Sequence, residues 1–199
     1  MQVCAVQRGD SMSIQLEEQI KVLEMCDIRL RPGITIDNLL YSFDREKYEK
    51  EPYVLLLTVM GGELEEEPFE YISKDIWHFD TECIEDHGYY VAIAQRMSDL
   101  AGGSLPLEEI TDYVDLEEGE AWLSFKLDGK KIKWIAAVED DWVDPKIFSQ
   151  FAELLIKRKT GKRFTYYDLG GQDCLIGCSA VKQLEKIKRE TGLNFAWLT

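Results

Sequence analysis

A chain of 199 residues with 45% hydrophobic and 11% aromatic side chains can bury a core, which excludes a disordered acidic tail. No apolar run approaches the roughly 20 residues that cross a bilayer, and the opening MQVCAVQRGD lacks the basic start and apolar centre of a secretory leader, so a cytoplasmic protein is expected. The net charge of −15 is concentrated: residues 61–144 hold 23 acids against 6 bases and residues 145–199 hold 5 against 10, the wrong sign for direct nucleic-acid binding, which starts with Lys and Arg neutralising phosphates.

In chain order, SIQLEEQIKVLEMC (13–26) sets Leu16, Ile20 and Leu23 at helical spacing and predicts an amphipathic helix begun by Ser13. RPGITIDNLLYSF interrupts it and predicts a short second helix over 36–43. YVLLLTVM (53–60) is a continuous apolar run of strand length ending in two glycines, and it predicts a central strand. ELEEEPFE follows as a solvated acidic loop. DIWHFDTECI (75–84) alternates like a strand, with Trp77, Phe79 and Cys83 on one face and His78, Asp80 and Glu82 on the other.

GYYVAIAQRMSDLA (88–101) predicts a helix whose buried stripe is Tyr90, Ile93, Ala94, Met97 and Ala101, stopped by Gly102 and Gly103. After a loop, AWLSFKL and KIKWIAAV flank Asp128-Gly129, a turn that takes positive φ, and residues 121–138 read as an antiparallel hairpin. Residues 145–158 form a helix with Ile147, Phe148, Phe151, Leu154 and Leu155 inward and Lys157, Arg158 and Lys159 at its end, where the helix dipole favours cations. RFTYYDL and DCLIGC read as two strands turned by Gly170 and Gly171. Ser179 starts a last helix with Val181, Leu184 and Ile187 inward, Gly192 stops it, and LNFAWL closes as a strand. There is no internal repeat and no long linker. The order favours one α+β domain over 1–199 with a mixed or largely antiparallel sheet flanked by helices, residues 1–50 reading as a helical N-terminal extension.

The densest chemistry is VEDDWVDP (138–145). Asp144 before Pro145 has the form of a helix start, a carboxylate accepting an orphan amide hydrogen ahead of a residue that lacks one. Glu139, Asp140 and Asp141 repel one another unless they are solvated, bound to a cation or facing a positive partner. Trp142 either folds back into the core or anchors an interface. EDDWVD lacks the alternate oxygens and the glycine of a calcium loop, so no metal is assigned to it.

WHFDTECIEDH holds the ligand types His78, Asp80, Glu82, Cys83 and His87 but neither C-x-x-C nor H-E-x-x-H, and it reads first as the wet face of a strand. The five cysteines, Cys4, Cys26, Cys83, Cys174 and Cys178, are odd in number and scattered, which suits reduced, packed thiols. DLGGQD lacks a phosphate-loop pattern. KRKTGKR (157–163) is a basic helix end or a surface for the acidic face of a second copy. No nucleophile with its base can be assembled, so neither a catalytic residue nor a cofactor is assigned.

AGGSLPLEEITDYVDLEEGEAWLSF, DDWVDP and YYDLGGQDCLIGC together resemble small bacterial proteins encoded beside secreted polymorphic toxins and taken as their immunity proteins; the resemblance covers about residues 75–199. It implies a cytoplasmic protein that binds and blocks a toxin, and it transfers no residues. The composition points the same way, to an acidic binding protein whose Glu117, Glu118, Glu120, Glu139, Asp140, Asp141 and Trp142 face a basic protein partner. Two other readings stay open: a divalent-metal-dependent hydrolase using His78, Asp80, Glu82 and His87 with the Asp140 region, and a small-molecule-binding domain.

Overall fold

The computed structural model describes residues 13–199 other than 66 and 68, so Cys4 and the opening stretch lie outside it. Four helices come first: α1 (Leu16–Met25), α2 (Ile36–Ser42), α3 (Arg45–Lys50) and α4 (Val54–Gly61). Then follow β1 (Ile76–Asp80), α5 (Tyr89–Ala101), β2 (Leu107–Asp115), β3 (Glu120–Leu127), β4 (Lys130–Ala136) and α6 (Pro145–Lys157). The chain continues through β5 (Lys162–Gly170), β6 (Asp173–Ala180), α7 (Val181–Thr191) and β7 (Ala196–Trp197). This is one α+β domain with two sheets, ordered β1-β6-β5-β7 and β2-β3-β4, and every strand pair among the described residues is antiparallel.

The layers follow from which faces are apolar. Helices α5 and α6 lie between the two sheets, and their apolar stripes meet the inner faces of both in a core built on Trp77, Phe79, Met97, Phe125, Phe151 and Ile176. Phe148 packs edge-on against Phe79 at 5.2 Å, and Trp134 against Phe151 at 4.8 Å. The other face of the four-stranded sheet carries a second core, where Ile76 and Leu175 meet Leu23, Tyr48, Leu57 and Met60 of α1, α3 and α4 with Leu184 and Ile187 of α7. Buried Gln19 ties this helical layer together: its amide donates to Ile14 O at 2.7 Å and Tyr48 O at 2.9 Å and accepts from Tyr53 N at 2.8 Å.

Several local expectations hold in detail. The hairpin turns on Asp128 and Gly129 at φ 51° and 74°, and Gly102 and Gly103 stop α5 in the left-handed region. The Asp144 side chain accepts from Lys146 N at 2.9 Å at the start of α6, ahead of Pro145.

Others are corrected. Residues 53–60 are not a strand: Val54–Gly61 is helical and buries Leu56, Leu57 and Met60 against the four-stranded sheet. The run is apolar all round because α4 is packed on both sides, so its periodicity carried no decision between helix and strand. At its last residue the helix backbone touches β1, and a Cβ on Gly61 would stand 2.3 Å from His78 N.

Ser13 does not cap α1. The helix starts after Gln15, and Leu16 N donates instead to Glu49 Oε1 at 3.2 Å. Ser179 belongs to β6, α7 begins after Ala180, and Val181 is exposed rather than inward. The stretch before Ala121 is not all loop, since Leu107–Asp115 forms β2, and β1 ends at Asp80, short of Glu82 and Cys83. No helix among the described residues is long and apolar enough to cross a membrane.

Candidate functional site

The two carboxylate runs singled out in the sequence lie at one end of the three-stranded sheet. Register puts them there: Val114 pairs with Ala121 and Ala121 with Ala136, so the β2–β3 turn and the chain leaving β4 extend beyond the same edge. Asp115 shapes the turn by accepting Glu118 N at 2.9 Å, Gly119 supplies φ 67°, and Glu117, Glu118 and Glu120 are exposed. The Asp115 carboxylate, more than burial, pushes the neighbouring Tyr113 phenol above its ordinary pKa.

Residues 137–144 are held at both ends by one side chain. Asp144 accepts Ala137 N at 2.8 Å through Oδ2 and Lys146 N through Oδ1, while its own N–H donates to Tyr90 Oη at 3.3 Å. Within the loop Trp142 N donates to Glu139 O at 3.1 Å, and Asp140 adopts φ 55°, a conformation its short polar side chain tolerates. The loop then runs along the continuation of β1, with Ile84 N donating to Asp141 O at 2.8 Å and Val143 N to Thr81 O at 2.9 Å. Glu139 and Asp140 therefore point to solvent from a fixed backbone, and Asp141 is half-buried.

Trp142 does not fold back into the core. It is 42% exposed and forms one wall of a groove of about 360 Å³ lined by Phe79, Val143, Phe148, Tyr166 and Leu198. The site thus joins carboxylates to an apolar depression, the pairing of charged rim and apolar centre that protein interfaces use.

The charge of the chain is distributed more unevenly than a single acidic side. The far end of the same sheet carries both signs: Lys126, Lys130 and Lys131 flank the β3–β4 turn, Lys126 pairs with Glu109, and the Arg158–Asp128 ion pair at 2.6 Å brings the end of α6 to it. A second acidic patch, Glu63, Glu65 and Glu67, lines a cleft with Asp37 and Tyr41 of α2.

The possible metal ligands are dispersed. His78 Nε2 meets Asp173 Oδ1 at 2.9 Å across β1 and β6, whereas His87 Nδ1 meets Asp86 Oδ1 at 2.7 Å and sets its ring against Tyr113. The His87 hydrogen bond holds the Asp86 carboxyl below its usual range. Asp80 accepts from Gln172 Nε2 at 3.1 Å and Glu82 N at 2.9 Å. Among the described residues no three His, Cys, Asp or Glu side chains converge on a point that could hold a metal ion. The four described cysteines are free thiols, and burial pushes Cys83 and Cys178 up to about 11 and Cys174 to about 12, which leaves them weak nucleophiles at neutral pH.

Sequence reasoning missed the outer face of the three-stranded sheet. Tyr113 and Trp122 stack at 6.0 Å, Lys133 Nζ lies 4.0 Å from the Trp122 ring centroid, and Ile135 is 64% exposed. The alternation Thr111-Asp112-Tyr113-Val114-Asp115 was the available signal. Comparison with protein-family models, curated protein sequences and solved structures gives no match.

Proposed function

We propose that the chain is a cytoplasmic, immunity-type binding protein that docks the carboxylate-rich end of its three-stranded sheet onto a basic toxin domain. The observation that supports this reading most is the meeting of Glu117, Glu118 and Glu120 with Glu139, Asp140 and Asp141 at one sheet end, beside the exposed indole of Trp142 and its groove. Carboxylates clustered at one end attract a cationic protein from a distance and raise its association rate, while the apolar groove supplies contact area that outlasts screening by salt. A toxin that acts on nucleic acid presents cations where phosphates go, and carboxylates placed there would occupy its site. No cofactor and no bond-making side chain is needed.

The test is association with the protein encoded by the neighbouring gene, followed at low and high salt. The wild-type on-rate falls steeply as salt rises, and the Asp140→Lys/Asp141→Lys chain associates about tenfold or more slowly while keeping its unfolding midpoint. An on-rate indifferent to both salt and the double substitution removes the proposal.

A further inference from the structure

Helix α5 carries one cation into the interior. Arg96 is 3% exposed, and a guanidinium so far from water ordinarily takes a carboxylate with it, because an uncompensated buried charge is costly. Among the described residues no ion pair includes it. Its two hydrogen bonds, to Ser73 O at 2.9 Å and Ile76 O at 2.6 Å, both leave from Nη2, and its Nε is buried with no partner among the described residues. The Tyr71 ring centroid lies 3.7 Å from Cζ. Two neutral carbonyls and an aromatic face position the group without cancelling its charge. Burial lowers its pKa, with Tyr71, Asp99, Glu63 and Asp75 opposing. An arginine that only braced the 71–76 segment would use more of its fork than one nitrogen.

Arg96 lines a recess of about 480 Å³ together with Arg31, Tyr71, Lys74, Ser98 and Asp99. Here three cations face one carboxylate, the reverse of the balance in the whole chain. Arg31 is partly committed to Glu70, but Lys74 is exposed and belongs to no ion pair among the described residues. An adjoining cleft of about 460 Å³ shares Lys74, Asp99 and Gly102 and adds Lys162, whose Nζ lies 3.5 Å from where a Cβ on Gly102 would stand.

We propose that this recess binds a small oxyanion, the phosphate or carboxylate end of a compact organic molecule, with Arg96 and Lys74 as its charge partners. Asp99, on the same wall, takes a hydroxyl or ammonium hydrogen from the ligand, which selects against anions that carry no donor. The volume exceeds what an isolated phosphate fills, leaving room for a short organic body. The recess and the Trp142 groove share no lining residue, and neither proposal needs the other.

Thermal unfolding of the full chain tests it, titrated with inorganic phosphate in one arm and glycolate, a carboxylate that carries a hydroxyl donor, in another, with sodium chloride holding ionic strength constant. A ligand of the folded state alone raises the melting temperature by mass action, by about 3 °C or more at tenfold excess over its Kd. The expected result is a saturable rise in at least one arm, the arm naming the anion class, abolished in Arg96→Met and in Lys74→Glu. Should Arg96→Met fail to fold, the exposed Lys74→Glu carries the comparison alone. Flat melting temperatures in both arms, or an equal rise in Lys74→Glu, would overturn the proposal.

Discussion

The four-stranded sheet is covered on both faces and the three-stranded sheet on one, and their central strands differ accordingly. In β6, Cys174, Leu175, Ile176 and Gly177 are buried in succession, Cys174 and Ile176 toward one core and Leu175 toward the other. In β3, Ala121, Leu123, Phe125 and Leu127 turn inward while Trp122, Ser124 and Lys126 alternate onto the outer side, where the small Ser124 alone is buried. A strand packed on both sides reads as an unbroken apolar run, and a half-covered one alternates. The lesson concerns where surface is available: the first sheet is scaffold, and the second leaves a whole face and one carboxylate-rich end open to other molecules.

The contrast is broken most severely from within the covered sheet. Leu175→Ala leaves a hole between the sheet and α4 and is expected to cost about 2–5 kcal/mol, read from the denaturant midpoint of two-state unfolding. Gly61→Ala comes next, at about 1–3 kcal/mol, because its Cβ would meet His78 N at 2.3 Å and Trp77 C at 2.8 Å, both backbone atoms that yield only if α4 lifts off β1. Gly62→Ala is the matched control, with nothing nearer than 3.5 Å. An equal loss at both glycines would mean that the close approach of α4 to β1 does not decide the cost.

A third measurement is chemical. Thiols in the unfolded chain ionise near 9, but folded Cys83 and Cys178 hold their protons to about 11 and Cys174 to about 12. Between those values the folded state binds more protons, so their contribution to stability is intact below about pH 9 and is lost as pH rises toward 11 to 12. Unfolding midpoints therefore fall across that window, less steeply in Cys174→Ala, and iodoacetamide at pH 9 labels the unfolded chain much faster than the native one. The smallest effect belongs to the open sheet: Ile135→Ser on its outer face stays within about 0.5 kcal/mol of wild type. A loss near that of Leu175→Ala would show this face to be covered in solution.

Much of the architecture was legible because it is locally encoded. Asp128-Gly129, the stripe from Tyr90 to Ala101 and the Asp144-Pro145 helix start each carry their reason within a few residues. What was misread depends on distant contacts. Whether 53–60 is helix or strand is settled by what covers it, and a run of apolar residues interrupted by Thr58 alone does not say. Strand β2 was obscured by the register shift between Glu108 and Thr111, with Glu109 at φ 50°, and by Asp112, whose carboxylate accepts Gly88 N at 2.9 Å and Val91 N at 3.2 Å at the start of α5. At the candidate site the acidic runs were visible as runs, but their meeting required the β2–β3 register. Arg96 fell within a correctly expected helix, yet the carbonyls that hold it belong to residues 73 and 76, outside any local window.

The double grip of Asp144 on Ala137 N and Lys146 N has a kinetic consequence. A recognition loop that had to be ordered at contact would incur that entropy during docking and slow the approach of the correct shape. Here the ordering is completed when α6 starts, so under the proposed docking the loop would meet its partner as a rigid template, and loosening it by Asp144→Ala would be felt first as fewer productive encounters.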